Sequence, residues 1–478
     1  MRRSTALIVK GTVCSTFLVI GLLSRPTAPK ASAQVPSDTN PVLVAKLGHT
    51  LFDDTTLSNP GGMACVTCHD PEAGFSYPKS GINQNLGPVP GAVVGRFGFR
   101  KPPTASYAAY LPVGVPQYVD KLQAYVGGLF FDGRAFDTFS QAEEPFLNPN
   151  EMNNLVHNMG SPAEVVDKIE NGPSGALFKQ VYGANVFDQS TEVVYGLMAR
   201  AIAAYERGPK VAAFSSKYDA YLAGKVTLSD MELRGLREVT GTLSGRPGGI
   251  PFRINAHCAE CHGIPSSTQT NERDLWTNSC YANLGVPKNA TNPFYKMTSA
   301  LSNPVGYNPL GSKYIDYGLG DFLYPLNGKP SGDLQEGDPL AIDGTFKTPT
   351  LRNVDKRPTP GFVKSYMHNG VFKSLAQVVH FYNTRNLTTV AGEVIDFTKA
   401  NPYAGLKGTP LWPPPEWPSP LTMINPAGLP NGNDGDGGMG EQIGNMGLSD
   451  YDEACIVAFL QTLSDGYFKP DNSGSPSP

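Results

Sequence analysis

The chain is poor in tryptophan, histidine and charge. Three tryptophans and seven histidines are spread over 478 residues, so a site that needs either has few to draw on. Charged residues make up only 17% of the chain and the net charge is −4, with no basic run to mark a nucleic-acid surface. No apolar stretch of the mature chain is long enough to span a bilayer. Seven cysteines are too few for a disulfide scaffold at this length. Glycine (52) and proline (43) are plentiful, which points to much irregular loop between elements. The N-terminus carries Arg2, Arg3 and Lys10, a short apolar core from Val13 to Leu23, and Ala31-Ser32-Ala33. This reads as a secretory signal peptide over 1–33; an uncleaved anchor is the alternative.

Two pentapeptides dominate what is present: Cys65-Val66-Thr67-Cys68-His69 and Cys258-Ala259-Glu260-Cys261-His262. Each is C-x-x-C-H, the attachment pattern of a c-type haem, in which two thiols form thioethers and the next His binds iron. A redox or zinc C-x-x-C is the rival reading, and the His repeated in both copies argues against it. Export agrees, because c-type haem is attached outside the bacterial cytoplasm. Cys14 leaves with the signal peptide. Cys280 and Cys455 remain, expected as a disulfide in an oxidising compartment, or else as two separately buried thiols.

The rest reads as helices joined by long loops. Pro41 to Phe52 and Thr191 to Glu206 are amphipathic. Ser229 with Glu232, and Ser449 with Asp452, open two further helices as capping boxes. In Ser374 to Tyr382 the apolar positions Leu375, Val378, Val379 and Tyr382 share one helical face, with His380 roughly opposite. The motifs define two halves, 34–215 and 216–478, with little other similarity between them. Stretches near 265–344 and 386–446 read as insertions, able to cover a cofactor edge, dock a partner or pack on the surface.

The chain resembles the bacterial di-haem cytochrome c peroxidases and their MauG relatives. The resemblance rests on Leu47–Phe52, Ala64–Phe75, Phe130-Phe131-Asp132-Gly133-Arg134, Gln141, Pro145, Asn148–Met152, Phe214–Leu222, Phe346–Asn353, Tyr366–Gly370 and Cys455–Leu463, in that order. It implies a mainly α protein of two cytochrome c-like domains with one haem each. Hydrogen peroxide reacts at the N-terminal haem in this family, and the C-terminal haem exchanges electrons with the outside.

His69 and His262 are the implied proximal ligands. Glu151 matches the family's acid–base residue, with Gln141 and Pro145 lining its pocket, whereas Glu143 and Glu144 match nothing and are expected to be exposed. No His lies between His69 and His157, so the first haem is not closed by a loop His and is expected to be open without reductive activation. The family's second distal ligand falls fourteen residues after His368, at Tyr382, as in MauG; His380 is the rival. Arg352 is expected at a haem propionate and His368 near one. Two departures stand out. Phe131 occupies the position of an inter-haem Trp, which puts fast charge sharing in doubt. Lys101 replaces a calcium-ligating Asn, which argues against that ion.

Three functions follow. The first is a MauG-type enzyme that uses peroxide to oxidise a protein or organic substrate through the second haem. The second is a conventional peroxidase fed by a small cytochrome c or copper protein. The third is an electron-transfer protein without peroxide chemistry.

Overall fold

Helix α1 (Pro41–Phe52) begins where Asn40 caps the Val42 N–H and Pro41 fills the first turn, and it buries Val44, Leu47, Gly48 and Leu51 along one stripe. The structure is a computed structural model that describes residues 39–119, 122, 124–245, 250–263, 274–299, 306–323, 342–397, 401–417 and 443–468. The expected signal peptide lies outside these residues, as do parts of both insertions. The other helices of eight or more described residues are α2 (Thr138–Leu147), α3 (Pro162–Asn171), α4 (Gly175–Tyr182), α5 (Thr191–Glu206), α6 (Asp230–Thr240), α7 (Leu375–Thr384) and α8 (Asp450–Gln461). Both expected capping boxes form, Ser229 with Glu232 and Ser449 with Asp452.

The protein is mainly α. Its described sheets are two-stranded and antiparallel: β1 (Gln117–Val119) with β2 (Ala124–Val126), β3 (Leu155–Val156) with β4 (Met159–Gly160), and β5 (Tyr281–Ala282) with β6 (Phe346–Lys347). The last pair matters most, because it aligns Tyr281 with Lys347 at one wall of the site.

The described residues form one compact unit. Within it, one apolar core runs from Val44 to Val211 and a second from Tyr218 to Leu463. Each core is built on a tight helix crossing. α1 packs on α5 with Gly48 facing the Ala201 carbonyl, where a Cβ would lie 1.8 Å from that oxygen. α6 packs on α8 with Gly235 facing the Cys455 carbonyl, where a Cβ would lie 1.9 Å away. Only glycine admits either approach.

Candidate active site

Each C-x-x-C segment forms a single helical turn, Cys65–Cys68 and Cys258–His262, on the wall of one continuous cavity of about 470 Å³. His69 Nδ1 lies 3.1 Å from the Phe75 carbonyl, and His262 Nδ1 lies 3.1 Å from the Trp276 carbonyl. Phe75 and Trp276 both adopt left-handed backbone, φ +55° and +54°, which turns each carbonyl back onto the imidazole. A backbone acceptor at Nδ1 fixes the tautomer that leaves Nε2 bare for a metal.

The correspondence goes further. Thr104 Oγ1 donates to the Gly74 carbonyl (2.8 Å), and Thr350 Oγ1 donates to the Leu275 carbonyl (2.5 Å). Ala105 N–H and Leu351 N–H reach the same Phe75 and Trp276 carbonyls, each at 3.2 Å. The halves therefore share a local frame that the sequence reading missed. Its trace is a pair of Pro-Thr dipeptides, Pro103-Thr104 and Pro349-Thr350.

Burial raises all four thiols, with Cys68, Cys258 and Cys261 pushed up to about 12. It also lowers both imidazoles, His262 to about 4, so each stays neutral and able to ligate. Two buried thiol pairs and two imidazoles with bare Nε2, set on a largely apolar wall, fit two covalent haems.

On the first side the wall includes Glu151, Gln141 and Pro145. Pro145 supplies no N–H within α2; its carbonyl takes the Met152 N–H at 3.1 Å, folding the chain back so that Glu151 meets the cavity. Asn148 Nδ2 donates to Glu151 Oε1 at 3.0 Å. Desolvation raises the Glu151 carboxyl above its ordinary value; Arg134 opposes this and Glu144 adds to it. Glu144 is not the exposed acid expected: its Oε2 accepts from Arg134 Nε at 2.8 Å, and Glu143 is likewise only half-exposed. Arg134 also bonds Asp132, which pairs with Arg100, which forks onto Asp316 at 2.6 and 2.7 Å. Sequence reading missed this charge chain, because Arg100 and Asp316 are far apart along the chain.

On the second side α7 puts Leu375, Val378, Val379 and Tyr382 on the cavity. Desolvation holds the Tyr382 phenol well above its ordinary value, and the neighbouring Cys261 and Cys258 add to the shift. His380 turns away, half-exposed, with Nδ1 3.0 Å from Glu453. Met446 also lines the cavity, its N–H bonded to the Asn383 carbonyl on α7.

Arg352 lines the cavity and is also forked onto Asp219 at 2.9 Å twice, with Nε on the Asp274 carbonyl. A carboxylate matches a guanidinium in both geometry and charge, and this one lies beside it. One expectation is corrected. Cys280 and Cys455 are free thiols in separate surroundings, not a disulfide. Cys280 lies beside β5 near Lys347, whereas Cys455 sits on α8 against Gly235.

The second insertion enters the site through Glu416 and Trp417, both on the cavity wall. Glu416 Oε2 is 3.6 Å from His368 Nε2, and His368 stacks on Phe346 at 3.6 Å. Phe131 lines the cavity, with the Lys101 ammonium 5.6 Å from its ring centre. Lys101 is half-buried and lowered to about 8 by desolvation. Lys364, unremarked in the sequence, is buried with its ammonium on the carbonyls of Ala73, Asn353 and Lys356. Two ammonium groups here do not suit a calcium ion. Glu206, also missed, lines the cavity near Cys65 and is pushed up to about 8 by desolvation.

The chain is 31% identical to the methylamine utilization protein MauG of Paracoccus denitrificans, over 93% of this chain and 94% of that protein. It belongs to the di-haem cytochrome c peroxidase/MauG family. The family model described as di-haem cytochrome c peroxidase matches residues 44–227. The cytochrome-c peroxidase IdrP1 of a Pseudomonas species is 27% identical over 75% of this chain and 76% of its own. Among solved structures, the diheme peroxidase BthA of Burkholderia thailandensis superposes with a TM-score of 0.61 at 28% identity, covering 94% of this chain and 91% of that one. The protein is thus a di-haem peroxidase-type oxidoreductase with two c-type haems and cytochrome c-like helical domains.

Proposed function

We propose that this is an exported enzyme of MauG type, in which hydrogen peroxide reacts in the N-terminal half (34–215) and oxidising equivalents leave through the C-terminal half (216–478) to a protein or organic substrate. The haems, when bound through Cys65/Cys68/His69 and Cys258/Cys261/His262, supply the redox chemistry. Glu151 takes a proton from one peroxide oxygen and returns it to the leaving one, and its desolvated carboxyl suits that exchange. Gln141 and Pro145 shape the pocket around it. The charge chain from Glu144 to Asp316 holds the block carrying Phe131 in place. Export rests on the signal-peptide pattern and on the chemistry of c-type haem. No helix among the described residues is long and apolar enough to cross a membrane.

The observation that carries this reading is Tyr382 on the cavity wall beside Cys258 and Cys261, with His380 occupied by Glu453. A phenol so desolvated ionises only against a strong cation, and a phenolate on iron favours its oxidised states. Met446 on the same wall favours the second reading, a conventional peroxidase with thioether ligation and a small redox protein as donor. Low-temperature EPR of the oxidised holoprotein separates them. The MauG-type reading expects a high-spin first haem and a low-spin second signal that changes in Tyr382→Met and persists in Met446→Leu. A signal indifferent to residue 382 and lost in Met446→Leu hands the site to the second reading.

A further inference from the structure

Behind His262, outside the cavity wall that carries Tyr382, the second half holds a row of oxidisable rings that the proposed chemistry has not used. The Trp276 carbonyl takes the His262 Nδ1–H at 3.1 Å, so the Trp276 backbone is one hydrogen bond from the imidazole. The Trp276 ring, 3% exposed, meets the Tyr218 ring at 5.3 Å. Tyr218 is buried, and its hydroxyl donates to Asp274 Oδ2 at 2.7 Å. Tyr221, one helical turn further along the Lys217–Leu222 helix, lies 6.4 Å from Tyr218 and is half-exposed. The row thus runs from the imidazole to the surface in three steps.

The first half shows what the row would be without this chemistry. The ring behind His69 is Phe75, followed by Phe52 at 6.4 Å and only then Tyr205 at 5.2 Å from Phe52. Phenylalanine is too hard to oxidise to carry a hole. One shared frame therefore has a blocked row behind His69 and an open row behind His262.

We infer that Trp276, Tyr218 and Tyr221 form the exit by which oxidising equivalents leave the second half, with Tyr221 the surface point where an electron-rich aromatic reductant delivers its electrons. The inference rests on the peroxide chemistry proposed above. In each turn one electron passes from the Trp276 indole toward the second haem. Tyr218 refills Trp276 with an electron and hands its phenolic proton to Asp274. Tyr221 then refills Tyr218, Asp274 returns the proton, and the Tyr221 proton goes to water. The reductant restores Tyr221 with one electron and one proton. Two such turns consume the two oxidising equivalents of one hydrogen peroxide, which leaves as two waters. The buried Trp276 Nε1 has no hydrogen-bond partner among the described residues, so its hole is not trapped by proton loss and moves on. Tyr218, by contrast, has a carboxylate in place to take its proton.

The test uses the di-haem holoprotein mixed with hydrogen peroxide and freeze-quenched for EPR, with ring-deuterated tyrosine to assign the radical. A tyrosyl signal that narrows with the label is expected in the parent protein. It should fall about tenfold in Trp276→Phe and Tyr218→Phe, while peroxide consumption in the absence of reductant stays within about twofold in Tyr218→Phe. Tyr218→Phe keeps the ring packing, so it reads the relay even where Trp276→Phe folds poorly. Tyr221→Phe should slow oxidation of a phenolic reductant about tenfold, and Tyr205→Phe, in the blocked row, should change neither readout. Peroxide consumption with no protein radical, or a radical unchanged in both Trp276→Phe and Tyr218→Phe, overturns the relay and leaves the proposed function standing. A holoprotein that consumes no peroxide overturns both.

Discussion

Around His69 and around His262 the backbone does the same things: a left-handed residue returns its carbonyl to the imidazole, and a Pro-Thr turn braces that residue from behind. Everything fastened to this frame differs. In the first half the residue two beyond the bracing Thr is Ser106, whose hydroxyl donates to the Val211 carbonyl at 2.7 Å. In the second it is Arg352, locked onto Asp219. The first half faces the cavity with a carboxyl on a folded-back loop, Glu151, held by the Asn148 amide. The second faces it with the phenol of Tyr382 on a regular helix. Holding an imidazole is a backbone task and tolerates wide variation in sequence. Acid–base chemistry against electron exchange is a side-chain matter, and there the halves diverge.

The sharpest way to test that division is Glu151→Gln. The rate of peroxide reaction should fall by about 10²–10⁴, measured by stopped-flow absorbance, with the spectrum of the second haem unchanged. In the parent protein that rate should rise with pH through a carboxyl pKa above 4.5, since desolvation raises Glu151 and the ionised form is the base; Glu151→Gln should flatten the profile.

Next come the two anchors on the frame. Arg352→Ala strands a largely buried Asp219 and should destabilise the second half by about 3–5 kcal/mol. The matching Ser106→Ala removes two neutral hydrogen bonds, one to the Val211 carbonyl and one from Asn353 Nδ2, and should cost about 2 kcal/mol, both variants read by denaturant unfolding. A similar cost for the two would break the contrast. Gly48→Ala and Gly235→Ala should each destabilise by about 1–3 kcal/mol, since a methyl would collide with the facing helix backbone in either core. Near-equal losses would show that the helix crossings are as alike as the histidine frames.

A pH-dependent effect concerns Glu206. Its folded pKa of about 8 lies above the unfolded value near 4.5, so the native state binds the extra proton between them. The stability this contributes is complete below about pH 4.5 and is lost as pH rises through 8. Glu206→Gln should therefore reduce the fall in melting temperature between pH 5 and pH 8, measured by calorimetry.

What was legible in the sequence was local. The C-x-x-C-H motifs, the capping boxes of α6 and α8, and the phase of α7 depend on residues within a few positions of one another, and periodicity exposes them. The family resemblance added Glu151, Gln141 and Pro145, and the structure puts all three on the cavity wall. Pairings across the chain were not legible. The pairing of Arg352 with Asp219 is one of these, since the two lie 133 residues apart. Cys280 and Cys455 looked like partners because counting alone left them over, whereas β5 and α8 carry them into different surroundings. The insertion that carries Glu416 and Trp417 stays open in sequence between covering a cofactor edge, docking a partner and surface packing, because a proline-rich segment gives no periodic sign of the wall it will join.

The Lys364 ammonium is held by carbonyls from both halves, Ala73 on one side and Asn353 and Lys356 on the other. A bound metal in such a joint would come and go with its concentration and with any chelator in the surroundings. An amine on a side chain travels with the polypeptide, so this joint draws its donor from the chain and not from the surrounding medium.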